Sequence, residues 1–198
     1  MGPEKKSRVI TEKERRLTAY HEAGHAIVMH ALPTHDPVHQ ITIVPRGMAG
    51  GMTISLPAEY HSYMSRNEML EQIVSLLGGR VAEALMLSDI STGASNDIEQ
   101  ATKLARGMIT RYGMSDEFDM VAMENVSNQY LGGDSSLTCS FETQTLIDKK
   151  VVELVRQQHE KAMQILQDNI MKLHELAKYL YENETITGEE FMQILERQ

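Results

Sequence analysis

The chain has 198 residues, 41% of them hydrophobic and 24% charged, which is ordinary for one globular domain with a sizeable core. A formal charge of −9 argues against nucleic acid or an anionic membrane surface as the main partner, because phosphate binding needs a basic face. Cys139 is the single cysteine, so neither a disulfide framework nor a cysteine-based zinc site is available.

The charged start "MGPEKKSRVITEKERR" excludes a secretory signal and reads as the interior of something longer. Lys6 stands where a myristoylation motif needs Ser or Thr. No run of 18 apolar residues occurs, so no span is expected and the chain should be soluble.

Leu17, Tyr20, Gly24, Ile27 and Val28 recur at helical spacing, which predicts a helix from Thr11 to about Leu32, stopped by Pro33. "VHQITIV" (Val38–Val44) alternates and is β-branched, "PRGMAGG" turns, and "MTISLP" returns, which reads as a hairpin. A capping box of Ser65 with Glu68 opens a helix through "EMLEQIVSLLGGRVAEALML". Gly78 and Gly79 are costly inside it and mark close helix packing.

"SDISTGASND" reads as a loop, with Asn96 as N-cap and Glu99 completing a second box for a helix to about Tyr112. Gly113 to Ser140, with "LGGDSS" inside it, reads as a long mobile loop. Phe141 to about Gln167 and Asn169 to Tyr181 are expected helices, and Thr187 with Glu190 caps a short last one. The fold class is mainly α with one small antiparallel β-sheet.

The first helix carries "HEAGH", His21 to His25. Residues i and i+4 lie on one helix face, so the two imidazoles can converge on one ion. Glu22 stands next to the first histidine, placed to take a proton from a water activated at that ion. A satisfied core helix is the bland alternative, but chance rarely produces H-E-x-x-H in a chain this short. The pattern therefore points to a zinc (Zn²⁺) hydrolase.

A third ligand is required. Val28 and Ala31 stand where the metzincin pattern needs Gly and His, and His30 is one residue short and reads as an ordinary, partly exposed histidine. Two downstream carboxylates remain, Glu83 in "GGRVAEAL" and Asp97 in "TGASNDIEQAT".

Together "TAYHEAGHA", "ITIVPRG", "SRNEML", "LLGGRVAEAL", "STGASNDIEQAT", "GMSDEF" and "ETITGEEFMQIL" resemble the peptidase domain of the FtsH family, membrane-bound ATP-dependent zinc metalloproteases, over almost the whole chain. The resemblance implies a mainly helical fold with a small sheet, zinc ligands His21, His25 and Asp97, and Glu22 as catalytic base. Glu83 then becomes a group orienting a ligand histidine, or a packing carboxylate. A helix-dipole charge at Asp97 and a ligand role for Glu83 remain the competing readings.

The family's full-length members carry an AAA ATPase module and transmembrane helices, and form hexameric rings. Neither a G-x-x-x-x-G-K-[ST] loop nor a span occurs in this chain, so it reads as the peptidase domain without its motor. Residues 1–139 would be the metallopeptidase core and 140–198 a C-terminal helical part of the same domain. The implied setting of the parent is the cytoplasmic face of the bacterial inner membrane, or an organelle membrane, with unfolded or membrane proteins as substrates. An exposed hairpin edge can pair with an extended substrate, which nominates Gly50, Gly51, Met52, Thr53 and Ile54; a hairpin that merely covers the core is the alternative. Two other functions compete: an assembly module that has lost its metal, and a Glu-liganded aminopeptidase, for which no amine-binding motif is found.

Overall fold

The first helix, α1 (Glu12–Ala31), begins where the Thr11 hydroxyl accepts the Glu14 amide, 3.1 Å away, and ends at Leu32 before Pro33. The structure is a computed structural model that describes residues 9–57, 59–127 and 134–198, so residues 128–133, with the start of "LGGDSS", lie outside it. Ala19 to Val28 are buried without interruption, so α1 is a central helix, covered on every side, rather than an amphipathic one.

The β1 strand (Val38–Thr42) pairs antiparallel with β2 (Met52–Ser55), as the hairpin reading expects. A third strand, β5 (Thr185–Thr187), pairs antiparallel with the other side of β1, which makes β1 central and leaves β2 at an edge. Ile41 faces Thr53 on one side and Ile186 on the other, and both isoleucines are buried.

The second helix, α2 (Arg66–Leu87), opens on the Ser65–Glu68 capping box. It crosses α1 at near backbone contact. A Cβ on Gly24 would lie 2.5 Å from the Gly78 carbonyl oxygen and 2.5 Å from Ala82 Cβ. Only glycines permit that approach, which explains the helix-breaking residues in mid-helix.

A single 3₁₀ turn, Thr92–Ala94, leads into α3 (Ser95–Thr110). The expected cap at Asn96 is not the one found: Asn96 lies inside the helix, Ala94 holds the N-cap position without a side-chain bond, and Ser91 caps the preceding turn instead. The segment from Gly113 to Ser140 is not wholly loop, since β3 (Glu124–Ser127) and β4 (Asp134–Leu137) pair antiparallel within it.

The remaining helices are α4 (Phe141–Asp168), α5 (Ile170–Asn183) and α6 (Gly188–Glu196), the last capped by Thr187 and Glu190. One hydrophobic cluster joins Val28, Ile73, Met108, Ile147, Leu176 and Phe191, so residues from both halves of the chain share it. The result is mainly α with a small antiparallel sheet. Among the described residues no helix is long and apolar enough to cross a membrane.

Candidate metal centre

One helical turn separates His21 from His25, and their Nε2 atoms stand 3.0 Å apart with the ring planes at 78°. Asp97, in the first turn of α3, brings Oδ2 to 3.2 Å from each of those nitrogens. Among the described residues this is the group of His, Cys, Asp or Glu side chains close enough to hold an ion.

The far side of each ring fixes its tautomer. His25 Nδ1 lies 2.8 Å from the Ser75 carbonyl oxygen, which can only accept, so that nitrogen carries the proton. His21 Nδ1 lies 2.7 Å from Oε1 of Glu83, a carboxylate with no solvent exposure. Glu83 also accepts the Ser91 amide at 2.9 Å and the Ser91 hydroxyl at 3.2 Å. Burial raises the Glu83 carboxyl, but the His21 and Ser91 bonds outweigh it and hold the pKa below the ordinary range.

With both Nδ1 atoms donating, both Nε2 atoms present bare lone pairs toward Asp97. Three acceptors within 3.2 Å of one another repel unless a positive charge sits among them. The donors suit zinc: atoms about 2.0–2.1 Å from one tetrahedral centre lie about 3.3–3.4 Å from each other. In the metal-free chain a proton serves that purpose. Burial disfavours charge on His21, yet the bonds to Asp97 and Glu83 and the nearby Glu22 charge outweigh it and raise the pKa to about 10. Asp97 is likewise resisted by burial and held well below the usual carboxylate range by both histidines.

The floor of the centre is Gly79. A Cβ there would lie 2.5 Å from His21 Nε2 and 2.6 Å from His25 Nε2, so the site occupies the space a side chain would take. Arg80, the next residue, donates from Nη2 to the Ser91 carbonyl at 2.7 Å. Arg80 and Glu83 on α2 thus grip the loop that delivers Asp97.

Glu22 is 6% exposed, and its Oε2 accepts a 2.7 Å hydrogen bond from the Thr53 hydroxyl. The residues nominated from the hairpin divide. Met52, Thr53 and Ile54 belong to the partly exposed edge strand β2. Gly51, however, makes room for the protein itself, since a Cβ would meet Thr18 Cγ2 at 2.7 Å, the Thr42 carbonyl oxygen at 2.8 Å and Glu22 Cγ at 2.9 Å. Gly50 is less constrained, since a Cβ there would stand 3.8 Å from Thr18 Oγ1. His30 is exposed and rests edge-on against Phe191, away from the centre.

Ser75, Ser91, Arg80 and the Thr53–Glu22 bond leave no signal in the sequence. Ser75 contributes only a backbone oxygen, and the other contacts join separate elements, so no local spacing announces them.

Comparison with known proteins agrees with this geometry. Residues 8–194 match the model of peptidase family M41. The chain is 50% identical over 198 residues to the ATP-dependent zinc metalloprotease FtsH of Caldicellulosiruptor bescii, covering 98% of this chain and 32% of that protein. It is 48% identical over 195 residues to the protein so named from Clostridium perfringens, covering 98% and 27%. A third, from Rubrobacter xylanophilus, is 46% identical over 198 residues, covering 98% and 30%. The chain therefore spans about a third of the length of the curated relatives it matches.

Proposed function

The chain belongs to peptidase family M41, and we propose that it is a zinc-dependent endopeptidase domain that cleaves unfolded polypeptide. The observation that carries this reading is the convergence of His21 Nε2, His25 Nε2 and Asp97 Oδ2 on one point that calls for a positive charge, beside a buried glutamate on the same helix as the histidines. His21, His25 and Asp97 would hold the ion, and Glu83 and the Ser75 carbonyl would orient the rings. When bound, zinc supplies Lewis acidity that polarises the scissile carbonyl and makes water nucleophilic near neutral pH.

Glu22 then acts as general base. Its carboxylate takes the proton from the attacking water and passes it to the departing amine. The outer edge of β2, at Met52, Thr53 and Ile54, holds the substrate as an added strand through backbone groups, with Gly50 and Gly51 extending the contact before the strand. Backbone pairing ignores side-chain identity, which suits varied unfolded substrates.

The relatives are named ATP-dependent, and they are about three times the length of this chain. We place the chain as the proteolytic part of such a protein. Its partners would be an AAA ATPase module of the same parent chain and the other protomers of a hexamer, at the cytoplasmic face of a bacterial inner membrane. Residues 1–139 carry the metal centre and 140–198 complete the same domain, and the hydrophobic cluster common to both parts supports their being one unit.

The test uses the chain stripped with a chelator and reloaded with zinc. Casein cleavage should vanish on stripping and return with zinc, while a stably folded domain resists throughout. Undiminished cleavage after zinc is shown to be gone would sink the metallopeptidase reading, and equal digestion of the folded domain would sink the restriction to unfolded chains.

A further inference from the structure

Glu22 is held by more than its own helix. The Thr53 hydroxyl stands 2.7 Å from Glu22 Oε2 and 3.1 Å from the Glu22 backbone oxygen. A hydroxyl has one proton to donate, and the charged carboxylate at the shorter distance is the stronger acceptor. Gly51, two residues earlier, lets β2 close on α1 until a Cβ would touch Glu22 Cγ. The base is therefore bracketed by one short segment: Gly51, just before β2, packs against its stem, and Thr53 within β2 fixes one carboxylate oxygen.

A glutamate has three rotatable side-chain bonds, so a carboxylate left to itself samples several directions. Held through Oε2, it presents Oε1 in one direction. We propose that Thr53 is a positioning residue that orients the Glu22 carboxylate for proton transfer, and that β2 thereby sets substrate and base with a single element. The inference rests on the reading of Glu22 as base. It assigns Thr53 a side-chain role in the chemical step, separate from any backbone pairing with substrate. The Ile41–Thr53 pairing holds β2 in register on β1, so the hydroxyl that grips Glu22 starts from a fixed position.

The experiment compares Thr53→Val, which keeps the shape without the hydroxyl, with Thr53→Ser, which keeps the hydroxyl without the methyl. Steady-state cleavage of an unstructured fluorogenic peptide, zinc per chain and thermal melting are measured on the zinc-loaded chain. Losing a hydrogen bond to a charged group should lower kcat about 10–100-fold in Thr53→Val, with KM within about threefold and one zinc retained. Thr53→Ser should return kcat to within about threefold of the parent. A Thr53→Val chain with unchanged kcat would overturn the proposal. So would a raised KM at constant kcat, or a Thr53→Ser chain no better than Thr53→Val, since those outcomes describe substrate contact or methyl packing. If Thr53→Val melts early or loses zinc, Thr53→Ala against Thr53→Ser decides on the same criteria. Glu22→Gln is run alongside: hydrolysis surviving there defeats the base assignment itself, whereas normal kcat in Thr53→Val beside an inactive Glu22→Gln defeats only the positioning role.

Discussion

Replacing Gly79 with alanine adds one methyl group, and its consequences can be worked from distances. The new Cβ would lie 2.5 Å from His21 Cε1 and Nε2, and 2.6 Å from His25 Nε2. Ordinary carbon contacts are about 3.5–4.0 Å, so the ring edges would have to withdraw by about 1 Å. Neither ring is free to do so, because His21 is tied to Glu83 at 2.7 Å and His25 to the Ser75 carbonyl at 2.8 Å. Zinc–ligand distances tolerate only about ±0.2 Å. We expect Gly79→Ala to weaken zinc binding more than about 100-fold, beyond the 10–100-fold typical of losing an outer hydrogen-bond partner. Stability should suffer less. Overpacking costs about 1–3 kcal/mol, alanine's helix propensity offsets about 1, and the metal-free chain should melt within about 10 °C of its parent. Gly24→Ala is the contrasting control, since its Cβ would meet the Gly78 carbonyl oxygen at 2.5 Å, a backbone atom that cannot rotate away. It should unfold the α1–α2 pair more than it perturbs the centre. Zinc content by mass spectrometry after dialysis against a weak chelator, with melting curves, distinguishes the two. Stoichiometric zinc in Gly79→Ala would refute the placement of the ion above Gly79.

Asp97→Asn should leave little zinc at micromolar protein, while Glu83→Gln keeps much of it with binding weakened about 10–100-fold; a zinc-free Glu83→Gln beside a zinc-replete Asp97→Asn would reverse the ligand assignment. Glu22→Gln should retain zinc and lose hydrolysis by about 10²–10⁴-fold, and near-parental casein cleavage would remove Glu22 from the chemistry. His21 has a folded pKa of about 10, above its ordinary 6.5, so its contribution to metal-free stability is complete below about 6.5 and is lost as pH climbs to about 10. Asp97 is depressed, so its contribution is present above its ordinary range and is lost as acid protonates it. The melting temperature of the stripped chain should therefore fall between pH 7 and 10, and zinc affinity should rise over the same interval as the ion displaces the His21 proton; flat profiles for both would contradict the shared-charge account.

What the sequence disclosed follows the range of the physics involved. The Ser65–Glu68 and Thr187–Glu190 boxes are contacts three residues apart, and both are present. The His21–His25 pair is likewise a one-turn relation, and the glycines of α2 announced the close crossing they make. Asn96 misled because Ser, Asn and Asp crowd the same stretch, and the 3₁₀ turn capped by Ser91 shifts the helix start to Ser95. Strand β5 escaped because three residues carry no periodicity of their own and pair with a strand about 145 positions earlier. The Thr53–Glu22 and Glu83–His21 bonds span 31 and 62 residues, distances at which only the fold determines who meets whom.

The most direct test of the metal centre is diffraction from crystals of the zinc-loaded chain, collected on both sides of the zinc absorption edge. The account predicts one anomalous peak within about 2.2 Å of His21 Nε2, His25 Nε2 and an Asp97 carboxylate oxygen, with Glu83 still bonded to His21 Nδ1. A peak ligated by Glu83 in place of Asp97, or one lying away from the histidine pair, would contradict it.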